Sequence, residues 1–451
     1  MSHEYRIERD TMGEMRVPAE ALYGAQTQRA VENFPISRLR FPRAFIRALG
    51  LIKSSAAHIN GKLGTIPADL AARIESVSNR VAEGEFDSQF VVDIFQTGSG
   101  TSTNMNANEV IAHLAHAHPN DHVNRGQSSN DVIPTAIHLS AALEGNAQLL
   151  PAMEQLHVSL ARKAGEFKDI VKIGRTHLQD AVPMRLGQEF SGYAAQVEFS
   201  IERIQTALNG IYELPLGGTA VGTGLNAIPG FASATIAEIA RRTGIPFREA
   251  RNHFEAQGAK DAVSFLSGAL KTYAVALTKI GNDIRWLGSG PRCGIGELKV
   301  PETQPGSSIM PGKVNPVIAE SLVMACAQVI GHDAAISWCC ASGNFELNVM
   351  MPVMAYDLLE SIELLAAVSR NFEERCIRGL EADAKRATGF VEQSLAMCTV
   401  LAPEIGYEKA AAIAKHAYAT GRTVREVARE ESGIPEARLN ELLDPKSQTG
   451  A

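Results

Sequence analysis

The stretch Val132–Phe167, VIPTAIHLSAALEGNAQLLPAMEQLHVSLARKAGEF, decides the fold. Its apolar residues, Ile133, Ile137, Leu143, Leu150, Leu156 and Leu160 among them, recur at helical spacing. Pro134 suits a first turn after a cap at Ser128–Asp131, and Pro151 is expected to kink the rod, because it brings no N–H and crowds the preceding turn. Similar segments run from about Met184 to Tyr212, Lys260 to Leu287, Val317 to Cys340 and Asn348 to Ile377. At the rise of an α-helix each spans roughly 35 to 50 Å. Five such rods in succession predict a mainly α protein built on a helical bundle. Their alanines and glycines permit close approach between helices, so self-association that buries more than one face is expected.

On either side of the rods the character changes. Residues 1–131 read as a mixed, mostly helical domain, 132–378 as the long-helix domain and 379–451 as a small C-terminal helical domain. Within the first, Tyr5–Arg9 and Gly13–Val17 read as short extended stretches, and Pro42–Leu63 and Pro67–Gly84 as ordinary helices. At 451 residues the chain is long enough for such a division. The net charge of −7 argues against nucleic acid or a membrane surface as the main partner. The six cysteines, Cys293, Cys326, Cys339, Cys340, Cys376 and Cys398, have neither zinc-type nor iron–sulfur spacing and read as thiols of a reducing compartment. The opening MSHEYRIERD lacks the apolar core of a signal peptide, and no uncharged run approaches the ~20 apolar residues of a membrane span. A cytoplasmic protein without a membrane partner is the expectation.

The chemistry gathers where the chain enters the helices. Thr97–Asn104 is rich in glycine and hydroxyls and reads either as a well-capped helix start, with Asn104 preceding a helix through His118, or as a ligand loop. Ser128–Asp131, SSND, is a second such entrance, and Thr176–Asp180, within IGRTHLQDAVPM, a third ahead of a proline. The fourth is GSSIMPGKVNPVIAE, Gly306–Glu320, whose glycines and prolines rule out regular structure from Ser307 to Asn315. Asn315 suits an N-cap and Pro316 the first helical position. The stretch is not a nucleotide-binding P-loop: five residues separate Gly306 from Gly312, and Val314 stands where a metal-binding hydroxyl is needed. Helix N-termini carry unpaired N–H groups and partial positive charge, so several converging on one point suit a small dianion, a dicarboxylate above all. The histidines His113, His116, His118 and His122 lack a plausible full metal-ligand set. The glycine-rich Leu214–Pro229 reads as a flexible crossover between rods.

Two residues stand out for proton transfer. His177 titrates near neutrality when unperturbed, and Glu320, one turn into its helix, is placed to orient it. Ser307 is a poor base in water and becomes a credible one only where loop N–H groups and Lys313 stabilise an alkoxide.

With TGSGTSTNMN at Thr97, HPND at His118, SSND at Ser128, GRTHLQD at Gly174, GGTAVGTGLN at Gly217, SGPRCG at Ser289 and GSSIMPGKVNP at Gly306, the chain resembles the fumarase/aspartase superfamily along essentially its whole length. Within it the chain is most similar to the class II (iron-independent) fumarate hydratases. His177, Ser129 and Gly312 favour these over the aspartate ammonia-lyases, which carry glutamine, threonine and alanine there; Leu178, the following QDAVPM, Val317 and Ile318 pull the other way. The resemblance implies a three-domain fold and a homotetramer whose central domains make one twenty-helix bundle, with each active site shared between three subunits. It implies reversible hydration of fumarate to L-malate, a step of the tricarboxylic acid cycle, with no metal and no organic cofactor. Carboxylates would be held by Ser99, Thr101, Ser128, Ser129, Asn130 and Thr176, together with Lys313 and Asn315. His177 paired with Glu320 would handle the leaving hydroxyl, Ser307 would take the C3 proton, and Lys313 and Asn315 would meet the charge of an aci-carboxylate. His118, Asn120 and Asp121 match a secondary anion site. Aspartate ammonia-lyase and a non-catalytic structural relative on the same fold are the alternatives; the latter could lose any of Ser307, Lys313, Asn315 or His177, and all four are present.

Overall fold

A computed structural model describes residues 4–450 of the chain. It opens with an antiparallel hairpin, β1 (Tyr5–Asp10) on β2 (Gly13–Pro18), in which Tyr5 faces Pro18 and Asp10 faces Gly13. Helix α1 (Ala25–Asn33) follows, then α2 (Arg43–Lys62) and α3 (Ala68–Glu83). The last two agree with the periodicity almost to the residue, because Pro42 and Pro67 stand at their N-caps and Gly84 ends α3 in the left-handed conformation. Helix α4 (Thr101–Ala115) begins earlier than Asn104 suggests and stops before His118, where His116 turns left-handed.

The five rods are present. The first is α5 (Ser129–Glu144) continued by α6 (Leu150–Glu166). Between them Gly145–Leu149 makes a π-helical turn, the Leu150 N–H reaching back to the Gly145 carbonyl. This turn, immediately before Pro151, is the form the expected kink takes: the widened ring relieves the crowding a proline imposes on the turn behind it. Pro134 lies in the second turn of α5, not the first, since the helix already begins at Ser129. A second hairpin, β3 (Val171–Thr176) with β4 (Gln179–Arg185), leads to α7 (Leu186–Ile211). Two shorter helices, α8 (Phe231–Thr243) and α9 (His253–Gly258), precede the third rod, α10 (Asp261–Leu287). The last two rods are α11 (Val317–Ala341) and α12 (Met351–Phe372), the latter running into a second π-helical turn at Glu373–Ile377. Small helices fill the chain from Ala384 to Leu442.

The chain divides into two compact units, Met1–Pro151 with Glu202–Ala274 and Ala327–Ala366, and Ala152–Ile201 with Val275–Cys326 and Ala367–Ala451. Each therefore takes one part of every rod. In the first, α2 packs on α3, and Ala56, Ile59 and Phe231 form an apolar cluster. There Ser267 of α10 donates to Asp333 of α11 at 2.7 Å, and His332 of α11 meets Ser361 of α12 at 3.1 Å. In the second, the Tyr193 hydroxyl of α7 donates to Asp283 of α10 at 2.9 Å. Its small helices close a separate core around Val171, Val391, Leu401, Ile413, Val427 and Leu443.

Candidate active site

In the first unit, the loop before α4 and the entrance to α5 are joined by hydroxyls. The Ser99 and Thr101 hydroxyls lie 2.7 Å apart, and Thr101 lies 2.6 Å from Ser129, so the three share their hydrogens in one chain. The loop holds this shape because the Gln96 amide oxygen accepts the Thr103 N–H and hydroxyl at 3.0 and 2.9 Å. Gly98 is needed there for space: a Cβ would fall 1.7 Å from the Val349 carbonyl oxygen. Ser128 is the N-cap of α5, and its Oγ accepts the Asn130 N–H at 3.2 Å, leaving the hydroxyl hydrogen free to donate onward. The Asn130 amide donates to the Ala220 carbonyl at 2.8 Å. Ser99, Thr101, Ser128, Ser129 and Asn130 thus stand as one polar wall at two helix N-termini, a suitable surface for a carboxylate.

Beneath that wall lie charges that periodicity did not single out. Lys53 is fully buried, and its Nζ donates to Asn124 Oδ1 and Gln127 Oε1, both at 3.0 Å. Burial pushes its ammonium down to about 7, against the pull of the Asp131 carboxylate. Burial raises the Asp131 carboxyl, against the N–H groups of Ser128, Gly217 and Thr219 and the Lys53 charge. The signal for Asp131 was in the sequence, as the N3 residue of an S-x-x-D capping box; that for Lys53 was its place on the apolar face of α2, four residues after Leu49. A lysine whose folded pKa is depressed binds fewer protons than the unfolded chain between the two values, so its contribution to stability rises with pH through that window. From pH 7 to pH 9 the wild-type chain is expected to gain up to roughly 2 kcal/mol from Lys53. Lys260, pushed down to about 8 by burial, adds to the slope in the same direction. Denaturant unfolding at both pH values should show a smaller gain in Lys53→Met; equal slopes would remove the assignment.

The second unit holds the other candidates. Ser307, Lys313 and Asn315 lie in a loop closed on itself: the Gly306 N–H donates to the Lys313 carbonyl, and the Asn315 side-chain amide to the Gly306 carbonyl, each at 2.8 Å. Ser307 Oγ accepts the N–H groups of Ile309 and Met310 at 3.2 and 3.0 Å. Lys313 Nζ donates to Asn315 Oδ1 at 2.8 Å. The Asn315 side chain is therefore spent on the loop and does not cap α11; Pro316 takes the N-cap position, its carbonyl accepting the Glu320 N–H at 3.1 Å. Glu320 stands in the first turn.

The Thr176–Asp180 segment is not a helix entrance, as its polar run before a proline suggested, but the turn of the β3–β4 hairpin. Pro183 lies within β4, opposite Ile173. His177 and Leu178 are the two central residues, at φ 57° and 61°. Two-residue hairpin turns need this left-handed backbone, which asparagine and glycine adopt at least cost. A histidine and a leucine there carry strain, of the kind that gathers at functional positions. The hairpin is anchored by buried charges: Arg175 grips Glu297 at 2.8 and 3.1 Å, and Lys172 reaches Glu189 at 2.9 Å and Glu297 at 3.4 Å. Neither Arg175 nor Glu297 was singled out by the sequence, since the two are far apart in the chain. Among the described residues no hydrogen bond or ion pair links His177 to Glu320 within the chain.

His118 caps the π-helical turn Pro119–Val123, its Nδ1 accepting the Asp121 N–H at 3.1 Å, with an Asp121 oxygen 3.2 Å away. Asn120 and Asp121 are exposed. The Leu214–Pro229 crossover is bonded rather than flexible, since Asp131 Oδ2 accepts the N–H groups of Gly217 and Thr219.

Comparison with known proteins places this long-helix chain among the lyases. Residues 13–331 match a family described as lyase, and residues 397–450 one described as fumarase C C-terminus. The class II fumarate hydratase of Mycobacterium tuberculosis is 53% identical over 449 residues, 98% of this chain and 95% of that protein. That of Xylella fastidiosa is 51% identical, over 99% of this chain and 96% of the other. The crystal structure of class II fumarase from Schistosoma mansoni superposes with a TM-score of 0.96 at 40% identity, covering 98% of both chains. The chain belongs to the class II fumarate hydratase family.

Proposed function

We infer that the chain catalyses the reversible hydration of fumarate to L-malate. The observation that carries the reading, in a member of this family, is Ser307 Oγ accepting two loop N–H groups beside the Lys313–Asn315 pair. Donors aimed at a hydroxyl oxygen lower the cost of its alkoxide, the form in which a serine acts as a base. In the malate-to-fumarate direction Ser307 takes the C3 proton. The electron pair left on C3 delocalises into the neighbouring carboxylate as an aci-carboxylate, whose second negative charge is met by Lys313 and Asn315. His177, oriented by Glu320, gives a proton to the C2 hydroxyl; the C–O bond breaks, water leaves and the C2–C3 double bond forms. Ser99, Thr101, Ser128, Ser129, Asn130 and Thr176 hold the carboxylates, and His118, Asn120 and Asp121 offer a secondary anion site.

The same reading makes the molecule a homotetramer of three-domain chains with sites completed by neighbouring subunits, working in the cytoplasm in the tricarboxylic acid cycle. Apolar surface on the rods supports association: Phe265, Val275, Met324 and Trp338 are 57, 54, 68 and 74% exposed in the single chain. Helix α11 is long and apolar enough to cross a membrane by length and composition, yet it carries Glu320, His332 and Asp333. A helix apolar on all sides also suits the core of an assembly, and that reading fits the polar site at its start.

The test is a pair of assays run side by side. L-Malate should give rise to the ultraviolet absorbance of a conjugated double bond, unaffected by chelators, while L-aspartate should release no ammonia. Ammonia from aspartate with no reaction of malate would overturn the assignment in favour of an ammonia-lyase.

A further inference from the structure

A closed ring of hydrogen bonds joins the entrance of α5 to the glycine-rich loop, and no step of the reaction uses it. Asp131 is wholly buried. One carboxylate oxygen accepts the Ser128 N–H at 2.8 Å; the other accepts the N–H groups of Gly217 and Thr219 at 2.9 and 3.0 Å. Thr219 is held in the left-handed region, at φ 55°, where a β-branched residue is a true outlier. Its carbonyl accepts Nε2 of Gln257, itself wholly buried, at 2.7 Å. The next carbonyl, that of Ala220, takes the Asn130 side-chain amide at 2.8 Å, and Asn130 is Asp131's neighbour in the chain. Gly217, at φ 100°, closes the ring where any side chain would come within 2.2 Å of the Ala232 methyl.

Capping a helix requires one oxygen of Asp131. The second oxygen, the strained Thr219 and the Gln257 grip add nothing to the cap. Strain of this sort persists only where the surroundings over-determine it, and here two buried side chains hold the residue from both its N–H and its C=O.

We propose that Asp131 is a positioning residue for the dicarboxylate site: by clamping Gly217–Ala220 to the helix entrance it fixes the rotamer of Asn130, leaving the second amide hydrogen of Asn130 to donate to a carboxylate. Asp131 touches no substrate and acts through Asn130 and Ser128. The inference rests on the reading of Ser128, Ser129 and Asn130 as carboxylate-binding groups.

Asp131→Asn keeps the shape but turns an NH₂ donor toward an N–H of the ring. In the purified full-length enzyme, KM for both L-malate and fumarate should rise about tenfold or more, the inhibition constant of succinate should rise in parallel, and kcat should fall less than KM rises. A purely structural role would instead lower the unfolding temperature or the active fraction and leave KM and the succinate constant where they were; that result overturns the proposal. Should Asp131→Asn fail to fold, Gln257→Met decides, since it removes only the grip on the Thr219 carbonyl: a several-fold rise in KM supports the clamp, and a wild-type KM overturns it. Wild-type enzyme inert toward malate and fumarate would overturn the functional reading and the clamp together, whereas active wild type with an unshifted variant overturns the clamp alone.

Discussion

Ser307→Ala is expected to lower kcat about a thousandfold while moving KM only a few-fold. The asymmetry follows from geometry. In the ground state the Ser307 hydroxyl is an ordinary group on a half-exposed loop, accepting the Ile309 and Met310 N–H groups. Those donors matter most when the oxygen carries charge, so what the alanine loses is made in the transition state and not in the bound substrate. The loop should survive the change, because its closure runs through Gly306, Lys313 and Asn315 rather than through the serine. Steady-state kinetics on the purified variant is the measurement. Near-normal turnover would take the proton-transfer role from Ser307.

His177→Asn should cost on the order of a hundred- to a thousandfold in kcat, the range for loss of a general acid or base. Asparagine is the informative replacement because it tolerates the left-handed backbone that position 177 requires, at φ 57°, so the hairpin turn is kept and only the imidazole is lost. Steady-state kinetics with L-malate on the purified variant is the measurement. A variant that retains most of its turnover would place the acid elsewhere.

Much of this architecture was legible in the chain. The five rods follow from apolar spacing, and α2 and α3 from the prolines that start them, because both signals are local. The polar wall at Ser99–Asn130 was likewise foreseeable, since hydroxyls and asparagines before an apolar run have few roles other than caps and ligands. What could not be read depended on pairs distant in sequence. Thr176–Asp180 reads as a helix entrance in the sequence because Pro183 resembles an N1 proline, whereas the pairing of Val171–Thr176 with Gln179–Arg185 makes it a hairpin turn. Asn315 suits a cap by sequence, but its side chain is drawn away by Gly306 and Lys313, a competition only the folded loop reveals. Arg175 with Glu297 is the same kind of fact: neither residue is singled out alone, and each is meaningful only beside its partner.

The π-helical turn at Gly145–Leu149 has a consequence for how this rod tolerates changes of length. A π turn is an α-helix with one residue too many, absorbed locally. Deleting a single residue there would restore a regular helix and leave the residues beyond Leu150 near their present phase, because the extra residue is already absorbed in the widened turn. The face that offers Gln155 and Ser159 to Glu373, at 3.1 and 2.6 Å, and Lys163 to the Leu380 carbonyl at 2.7 Å, would keep its phase. Glu373 itself opens the other π turn of the rods. A one-residue deletion in such a turn is therefore a local change, whereas the same deletion in the regular helix on either side turns all that follows by about 100°.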